Sequence, residues 1–219
     1  MDFPLLQTIA LYAVPVVFAI TLHEAAHGYV ARMFGDQTAW MLGRVTLNPL
    51  KHIDPVGTVL VPLGLLLASA LMGSGGFLFG WAKPVPVNFA NLRHPKRDML
   101  WVAVAGPGMN FAMAFLWALL LRVAVHGGPL ESNGLLVMAR AGIMINVVLM
   151  VLNLLPILPL DGGRIAVSLL PQSLAAPYSR MEPYGFVLII LLLATGILDD
   201  LMRPLISFVL VILRSFTGI

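Results

Sequence analysis

The 219-residue sequence contains no cysteine, and only 11% of its residues are charged. The absence of cysteine excludes disulfide bonds, thiolate metal ligands and a cysteine nucleophile, so any metal must be bound by histidine and carboxylate side chains. A soluble domain carries about 25% charged residues, so the low charge excludes an ordinary globular enzyme and a disordered chain. The 13 basic residues form no continuous stripe, and no nucleic-acid partner is expected.

Hydrophobic residues make up 59% of the chain, which is more than one water-soluble core can bury. About 20 apolar residues cross a bilayer once. We therefore expect an all-α polytopic membrane protein, folded as a single membrane-embedded domain over residues 1–219 and surrounded by lipid. About five transmembrane helices are predicted, at residues 4–33, 99–125, 134–155, 184–198 and 204–217. The first apolar run has no basic leader, so it is not expected to be a cleaved signal.

The basic residues predict the topology of these spans. Seven of them lie between the end of the first span and residue 99, counting Arg32 in its last turn, namely Arg32, Arg44, Lys51, Lys83, Arg93, Lys96 and Arg97. The positive-inside rule places this region on the cytoplasmic side and the amino terminus outside. A single crossing by the apolar residues 56–72 would put the later basic residues on the wrong side. We therefore predict a re-entrant hairpin at about residues 57–82, which turns near residues 73–76. Two short full crossings are the alternative.

Short β-strands are predicted on the cytoplasmic side, before and after this hairpin. Residues 43–48 and 81–88 both mix β-branched residues with turn formers. Pro84 and Pro86 have no backbone N–H, which confines the second segment to a sheet edge or to an unpaired strand.

The strongest local motif is the sequence HEAAH at residues 23–27, within the first span. A separation of four residues puts His23 and His27 on one face of a helix, where both imidazoles can bind one Zn²⁺ ion. Glu24 follows the first histidine and can act as a general base. Three ionisable groups so close together in a membrane helix are energetically costly, and such groups usually have a function. A chance occurrence, or two histidines at the membrane interface, is the weaker interpretation.

A catalytic zinc needs a third protein ligand and one open position. The other histidines and glutamates lie in loops or lack a helical motif, namely His52, His94, His126, Glu131 and Glu182. Asp161 remains, at the end of an apolar span that two prolines and two glycines interrupt. Irregular backbone of this kind at membrane depth is found where a polar site is built inside a membrane protein. Asp161 could instead cap the helix that follows it.

Three motifs together resemble the site-2 protease family of intramembrane metalloproteases. They are HEAAH at residues 23–27, AGPGMN at 105–110 and NLLPILPLDGG at 153–163, in the order that the family has. The segments GRVTLNPLKHIDP at 43–55 and GWAKPVPVN at 80–88 resemble a small prokaryotic subgroup without PDZ or CBS domains. The resemblance implies one Zn²⁺ ion per chain, bound by His23, His27 and Asp161, with Glu24 as base and proton shuttle.

The family likeness also predicts what the enzyme acts on and where. The expected activity is hydrolysis of peptide bonds within or next to transmembrane segments of membrane-protein substrates, as in regulated intramembrane proteolysis. Asn153 is expected near the scissile carbonyl, with a buried hydrogen bond as the alternative. Asn110 could equally form an interhelical hydrogen bond or lie near the substrate. Lys83, Pro84 and Val85 belong to the segment that we expect to hold an extended substrate by β-augmentation.

Two other functions remain open at this point. A zinc-binding membrane transporter could use the same three ligands as a transit site, and a non-catalytic scaffold could keep zinc for stability. Transport needs no general base, so Glu24 distinguishes the transporter from the protease. We expect a multi-pass protein of the prokaryotic inner membrane with its active site near the cytoplasmic side. The sequence does not specify the oligomeric state.

Overall fold

The computed structural model of the chain describes residues 4–61, 64, 83–125 and 132–218. The described part is mostly helical, with short helical turns at Pro49–Lys51, Pro55–Leu60 and Phe89–Asn91. The helices, in chain order, are α1 (Leu5–Met33), α2 (Thr38–Met41), α3 (Pro95–Val125), α4 (Asn133–Leu154), α5 (Asp161–Leu169), α6 (Gln172–Ser179), α7 (Glu182–Ala194) and α8 (Ile197–Thr217).

Local sequence explains where the long helices begin and end. α1 is continuous through the HEAAH motif and stops at Gly35, whose φ of 112° lies in the left-handed region that favours glycine. The Ser132 side chain accepts a hydrogen bond from the Leu135 N–H at the start of α4, a typical N-terminal cap. α4 ends at Leu154, directly before the proline-containing turn that leads to Asp161.

Helices α1, α3 and α4 pack against one another and form the centre of the molecule. The main apolar core lies between α3, α4 and α8, with Ala118, Val147 and Leu213 among its fully or almost fully buried residues. The short helix α5 packs against α3. This packing brings the turn that follows α4 close to the second half of α1, where the HEAAH motif lies.

Three of the described helices are long and apolar enough to cross a membrane, namely α1, α3 and α4. They correspond to the predicted spans at residues 4–33, 99–125 and 134–155. The predicted spans at 184–198 and 204–217 correspond to α7 and α8, which meet at an angle of 86° and could form one broken span. α7 has 13 residues, or about 20 Å of helix, which is shorter than a bilayer core of about 30 Å. The structure thus supports three or four spans, and the count of five is not confirmed.

The end of α8 lies beside the end of α3. The Arg122 guanidinium, in the last turn of α3, donates a hydrogen bond of 2.8 Å from Nη1 to the carbonyl oxygen of Thr217. The two helices therefore end on the same side of the molecule, as they would if α7 and α8 crossed the membrane together only once.

Most of the predicted re-entrant hairpin lies outside the described residues, and its turn at 73–76 is not described. Within the described ranges the predicted cytoplasmic strands are not formed. Residues 43–48 make a series of bends, and Lys83–Asn88 is irregular, although Asn88 at its end has extended backbone angles (φ −97°, ψ 98°). Pro84 and Pro86 cannot donate to a neighbouring strand, which is one physical reason why no strand ladder forms here.

Candidate metal centre

His23 and His27 lie one turn apart on the buried face of α1. Their ring centroids are 4.7 Å apart, and the two Nε2 atoms are separated by 3.0 Å. The other ring nitrogen of His27, Nδ1, lies 2.7 Å from the carbonyl oxygen of Val102 in α3. Because a carbonyl oxygen can only accept, this Nδ1 carries the proton and Nε2 has a free lone pair. His23 Nδ1 lies 2.6 Å from Asn110 Oδ1, which is also an acceptor. His23 therefore carries its proton on Nδ1 as well, and its Nε2 has a free lone pair.

Asp161 reaches both histidines from the start of α5. The glycines after it allow α5 to begin directly against the preceding turn, since a Cβ atom on Gly162 would lie 2.3 Å from the carbonyl oxygen of Leu154. Asp161 Oδ2 is 3.3 Å from Nε2 of His23 and 3.3 Å from Nε2 of His27. The side chain is only 12% exposed, and Oδ2 has no hydrogen-bond partner among the described residues.

The three converging atoms fit a metal ion. Both imidazole nitrogens and the carboxylate oxygen present electron pairs to one another at 3.0–3.3 Å. Such groups repel each other unless a cation lies between them. Tetrahedral zinc with bonds of about 2.0–2.1 Å holds its ligand atoms about 3.3 Å apart, which agrees with the separations found. Within the described part of the chain this is the one cluster of histidine and acidic side chains that could hold a metal.

Gly106 in α3 covers the two imidazoles on one side. A Cβ atom at this position would lie 2.3 Å from His27 Nε2 and 2.6 Å from His23 Nε2, far inside van der Waals contact. Only glycine therefore lets α3 approach the histidines so closely. Gly108, two residues later, has open space around it. These two glycines cannot be distinguished from the sequence, because both stand in the same small-residue motif.

Glu24 is not one of the three converging residues. Its Oε2 atom accepts a hydrogen bond of 2.6 Å from the backbone N–H of Val85. The carboxylate is partly exposed, next to the histidines along α1. Val85 itself is buried, so Glu24 lies between the candidate metal ligands and the predicted substrate-holding segment.

Three further contacts hold the segment Lys83–Asn88. The Lys83 N–H donates to the carbonyl oxygen of His52 at 2.9 Å, and the Arg44 guanidinium donates to the carbonyl oxygen of Lys83 at 2.8 Å. At the other end, the Asn88 N–H donates to Asp36 Oδ2 at 2.7 Å. The segment is therefore tied to fixed groups before and after the residue that contacts Glu24.

Asp36 lies just beyond the end of α1, where an acidic residue is usually solvated, yet it is 0% exposed. Its carboxylate accepts hydrogen bonds from the backbone N–H and hydroxyl of Thr38, the N–H of Asn88 and the side-chain amide of Asn91. Burial alone would raise the pKa of Asp36, but these hydrogen bonds outweigh it and lower the pKa below its ordinary value.

The remaining predicted residues are distributed around the centre. Asn110 is fully buried behind His23, and Asn153 is partly exposed, with its side-chain amide donating to Leu149 O at 3.0 Å in its own helix. Lys83 and Pro84 are exposed.

The residues that we excluded as the third zinc ligand on sequence grounds either have other partners or lie outside the described residues. His52 bonds to Thr46 O at 3.0 Å, His94 lies 3.8 Å from Asp98, and Glu182 pairs with Arg164 at 3.1 Å. His126 and Glu131 lie outside the described residues.

Comparison with known proteins identifies the family. A profile named "Peptidase family M50" matches residues 122–195, a range that includes Asp161. The chain is 38% identical over 199 residues to "Putative zinc metalloprotease YwhC" of Bacillus subtilis (strain 168), with 89% of this chain and 84% of that protein covered. It is 32% identical over 184 residues to "Putative zinc metalloprotease Rip2" of Mycolicibacterium smegmatis (strain ATCC 700084 / mc(2)155), covering 84% of this chain and 66% of the relative.

No solved structure matches the chain. The extent of the first likeness, the profile match, the membrane-spanning helices and the buried His-His-Asp group agree with one another. The chain belongs to peptidase family M50, the site-2 proteases, and is an integral-membrane zinc metalloprotease.

Proposed function

We propose that the chain hydrolyses peptide bonds within or next to transmembrane segments of membrane-protein substrates, in regulated intramembrane proteolysis. The observation that carries the proposal is the convergence of His23, His27 and Asp161 at 3.0–3.3 Å, with Glu24 beside them. α1, which contributes three of these four residues, is long and apolar enough to cross a membrane. A hydrolytic centre on such a helix acts where a transmembrane substrate would lie.

The roles of the residues follow from their chemistry. His23 and His27 each offer an Nε2 lone pair, and Asp161 offers Oδ2, so these three are the proposed zinc ligands. When bound, Zn²⁺ supplies the Lewis acidity that activates a water molecule and polarises a carbonyl oxygen. The Glu24 carboxylate would accept a proton from the water molecule whose oxygen adds to the scissile carbonyl carbon, and would transfer that proton to the amine nitrogen as the C–N bond breaks. The Val85 N–H keeps one oxygen of Glu24 in place and leaves the other to move the proton.

An intact substrate helix hides its carbonyl groups in i to i−4 hydrogen bonds, so it must unwind before cleavage. Lys83, Pro84 and Val85 belong to a segment that is fixed at His52, Glu24 and Asp36. We propose that this segment contacts the unwound substrate by β-augmentation, since a segment that is already held in place loses less entropy when a strand docks against it. The absence of an N–H on Pro84 and Pro86 prevents a second partner from pairing through that side.

The two asparagines are assigned different tasks. Asn153 has two amide protons, and its bond to Leu149 O uses one of them. The other can donate to the substrate carbonyl as negative charge develops on its oxygen. Asn110 is fully buried, and both ends of its amide are bonded within the protein. Of the two roles that the sequence left open for Asn110, we therefore propose the interhelical one.

The site is proposed to lie near the cytoplasmic side of the prokaryotic inner membrane. Arg32 is the first basic residue after the HEAAH motif, seven residues beyond Ala25. That distance is about 10 Å along a helix, and we infer that the centre lies roughly this far inside the cytoplasmic interface.

The test separates a protease from a zinc transporter or a zinc-stabilised scaffold. Purified, zinc-loaded protein is incubated with a panel of single-span membrane proteins, and zinc flux is measured in vesicles containing the same preparation. Glu24→Gln should bind zinc but cleave at least about 100-fold more slowly, because general acid–base catalysis contributes about 10²–10⁴-fold. Glu182→Gln, which changes a carboxylate paired with Arg164 outside the site, should cleave normally. Zinc flux that persists in Glu24→Gln, without cleavage by any variant, would refute the proposal.

A further inference from the structure

Two buried amides lie behind His23, on the side away from Asp161. Asn110 in α3 and Asn146 in α4 are both 0% exposed. Neither is part of the proposed zinc ligand set. A buried amide is unfavourable unless its donors and its acceptor find partners, so the bonds of these two residues indicate what they do.

The hydrogen bonds fix the orientation of both amides. Asn146 Nδ2 donates to the carbonyl oxygen of Gly142 at 2.8 Å, and Asn110 Nδ2 donates to that of Ala19 at 3.3 Å. A carbonyl oxygen only accepts, so each of these contacts must come from an NH₂ end. The remaining contacts are then determined, since Asn110 Nδ2 also donates to Asn146 Oδ1 at 3.0 Å and Asn110 Oδ1 faces His23 Nδ1 at 2.6 Å.

The direction of these bonds determines which nitrogen of His23 carries the proton. Nδ1 must donate to Asn110 Oδ1, which leaves Nε2 with a lone pair towards Asp161 Oδ2 at 3.3 Å. If the Asn110 amide turned over, its NH₂ would face Nδ1 and favour the opposite tautomer. That tautomer has a proton on Nε2, where it would block a metal. The Ala19 contact is the longer of the two that oppose this flip.

We propose that Asn146 is a positioning residue for the zinc site: it fixes the amide of Asn110 and thereby keeps His23 in the tautomer that binds zinc. The relay connects three helices, α1, α3 and α4, so their packing and the tautomer of a ligand depend on each other. This inference rests on the proposed ligation of zinc by His23. It does not depend on the proposed proteolysis, and a readout of zinc affinity keeps the two separate.

The chain provides a matched control on the same helix. Asn153, like Asn146, donates its side-chain amide to the carbonyl oxygen four residues earlier, at 3.0 Å against 2.8 Å. Its hydrogen bond to Leu149 O does not lead to His23. Replacing each asparagine by leucine removes the same type of intrahelical bond from α4, and only one replacement interrupts the relay.

The experiment measures zinc affinity by chelator competition for Asn146→Leu, Asn153→Leu, Asn110→Leu and the Asn110→Leu/Asn146→Leu double variant. Residues that orient a metal ligand contribute about 10–100-fold to affinity. We expect a loss of about 10-fold in Asn146→Leu and none in Asn153→Leu. If Asn146 acts through Asn110, adding Asn146→Leu to Asn110→Leu should cause no further loss.

A purely structural role for Asn146 predicts other results. Equal zinc affinity in Asn146→Leu and Asn153→Leu, or a full additional loss in the double variant, would overturn the proposal. Thermal unfolding of the same preparations shows whether each variant is folded. If the leucine variant does not fold, the smaller Asn146→Ala removes the same bonds without added bulk and is held to the same two comparisons.

Discussion

Replacing Gly106 by alanine tests the geometry of the metal centre itself, because the change keeps all three proposed ligands and alters only the space beside the two histidines. The added methyl carbon would lie 2.3 Å from His27 Nε2 and 2.6 Å from His23 Nε2. Non-bonded heavy atoms are in contact at about 3.5 Å, so the imidazoles would have to move by about 1 Å. Zinc–ligand distances vary by only about 0.2 Å in well-formed sites.

We therefore expect Gly106→Ala to lower zinc affinity by at least about 100-fold, or about 2.8 kcal/mol. The assay is chelator competition on detergent-purified protein, with metal analysis for stoichiometry and thermal unfolding of the same samples. Gly108→Ala is the matched control, since nothing lies within 4 Å of its added Cβ. It should keep its zinc and gain a little stability from the better helix propensity of alanine. Unchanged zinc affinity in a folded Gly106→Ala variant would refute the placement of α3 against the two histidines.

Three other predictions test separate parts of the account. Asp161→Ala should lose zinc, and full retention of the metal on metal analysis would exclude it as the third ligand. Because the pKa of Asp36 is lowered, its ionised form stabilises the fold above pH of about 4, and this contribution is lost as the pH falls through the folded-state pKa. The difference in melting temperature between wild type and Asp36→Asn should therefore shrink below pH of about 4. A difference that stays constant with pH would count against the prediction. Because the chain has no cysteine, a single cysteine placed at Asn133 or at Ser215 can be labelled specifically with a thiol reagent added on one side of the membrane. If α7 and α8 form one bent span, both positions should be labelled from the same side. If α7 and α8 cross the membrane separately, the two positions should be labelled from opposite sides.

The metal centre was largely predictable from the sequence because its signals are local or scarce. The spacing of His23 and His27 requires only helical geometry. With ten acidic residues in the whole chain, Asp161 could be identified by elimination. The structure brings these three residues together. Their roles as ligands remain a proposal until zinc binding is measured in variants.

The surroundings of the centre were less predictable because they depend on how distant segments pack. Gly106, Asn146 and the carbonyl of Val102 belong to apolar helices, and hydropathy does not show which of their residues face His23 or His27. Asp36 lies just beyond a helix end, a position typical of an exposed acid, yet it is buried and bonded to Thr38 nearby and to Asn88 and Asn91 from a distant segment. A hydropathy pattern likewise cannot show that α7 and α8 meet at 86°.

The central claim is that this buried centre cuts peptide bonds at membrane depth, and mapping the cut tests it most directly. A single-span membrane protein is incubated with the zinc-loaded chain, and mass spectrometry locates the new termini. The account predicts a cut inside or beside the transmembrane segment, about 10 Å from its cytoplasmic boundary, and no such cut with Glu24→Gln. A cut confined to a distant soluble region, or one that Glu24→Gln makes equally well, would contradict it.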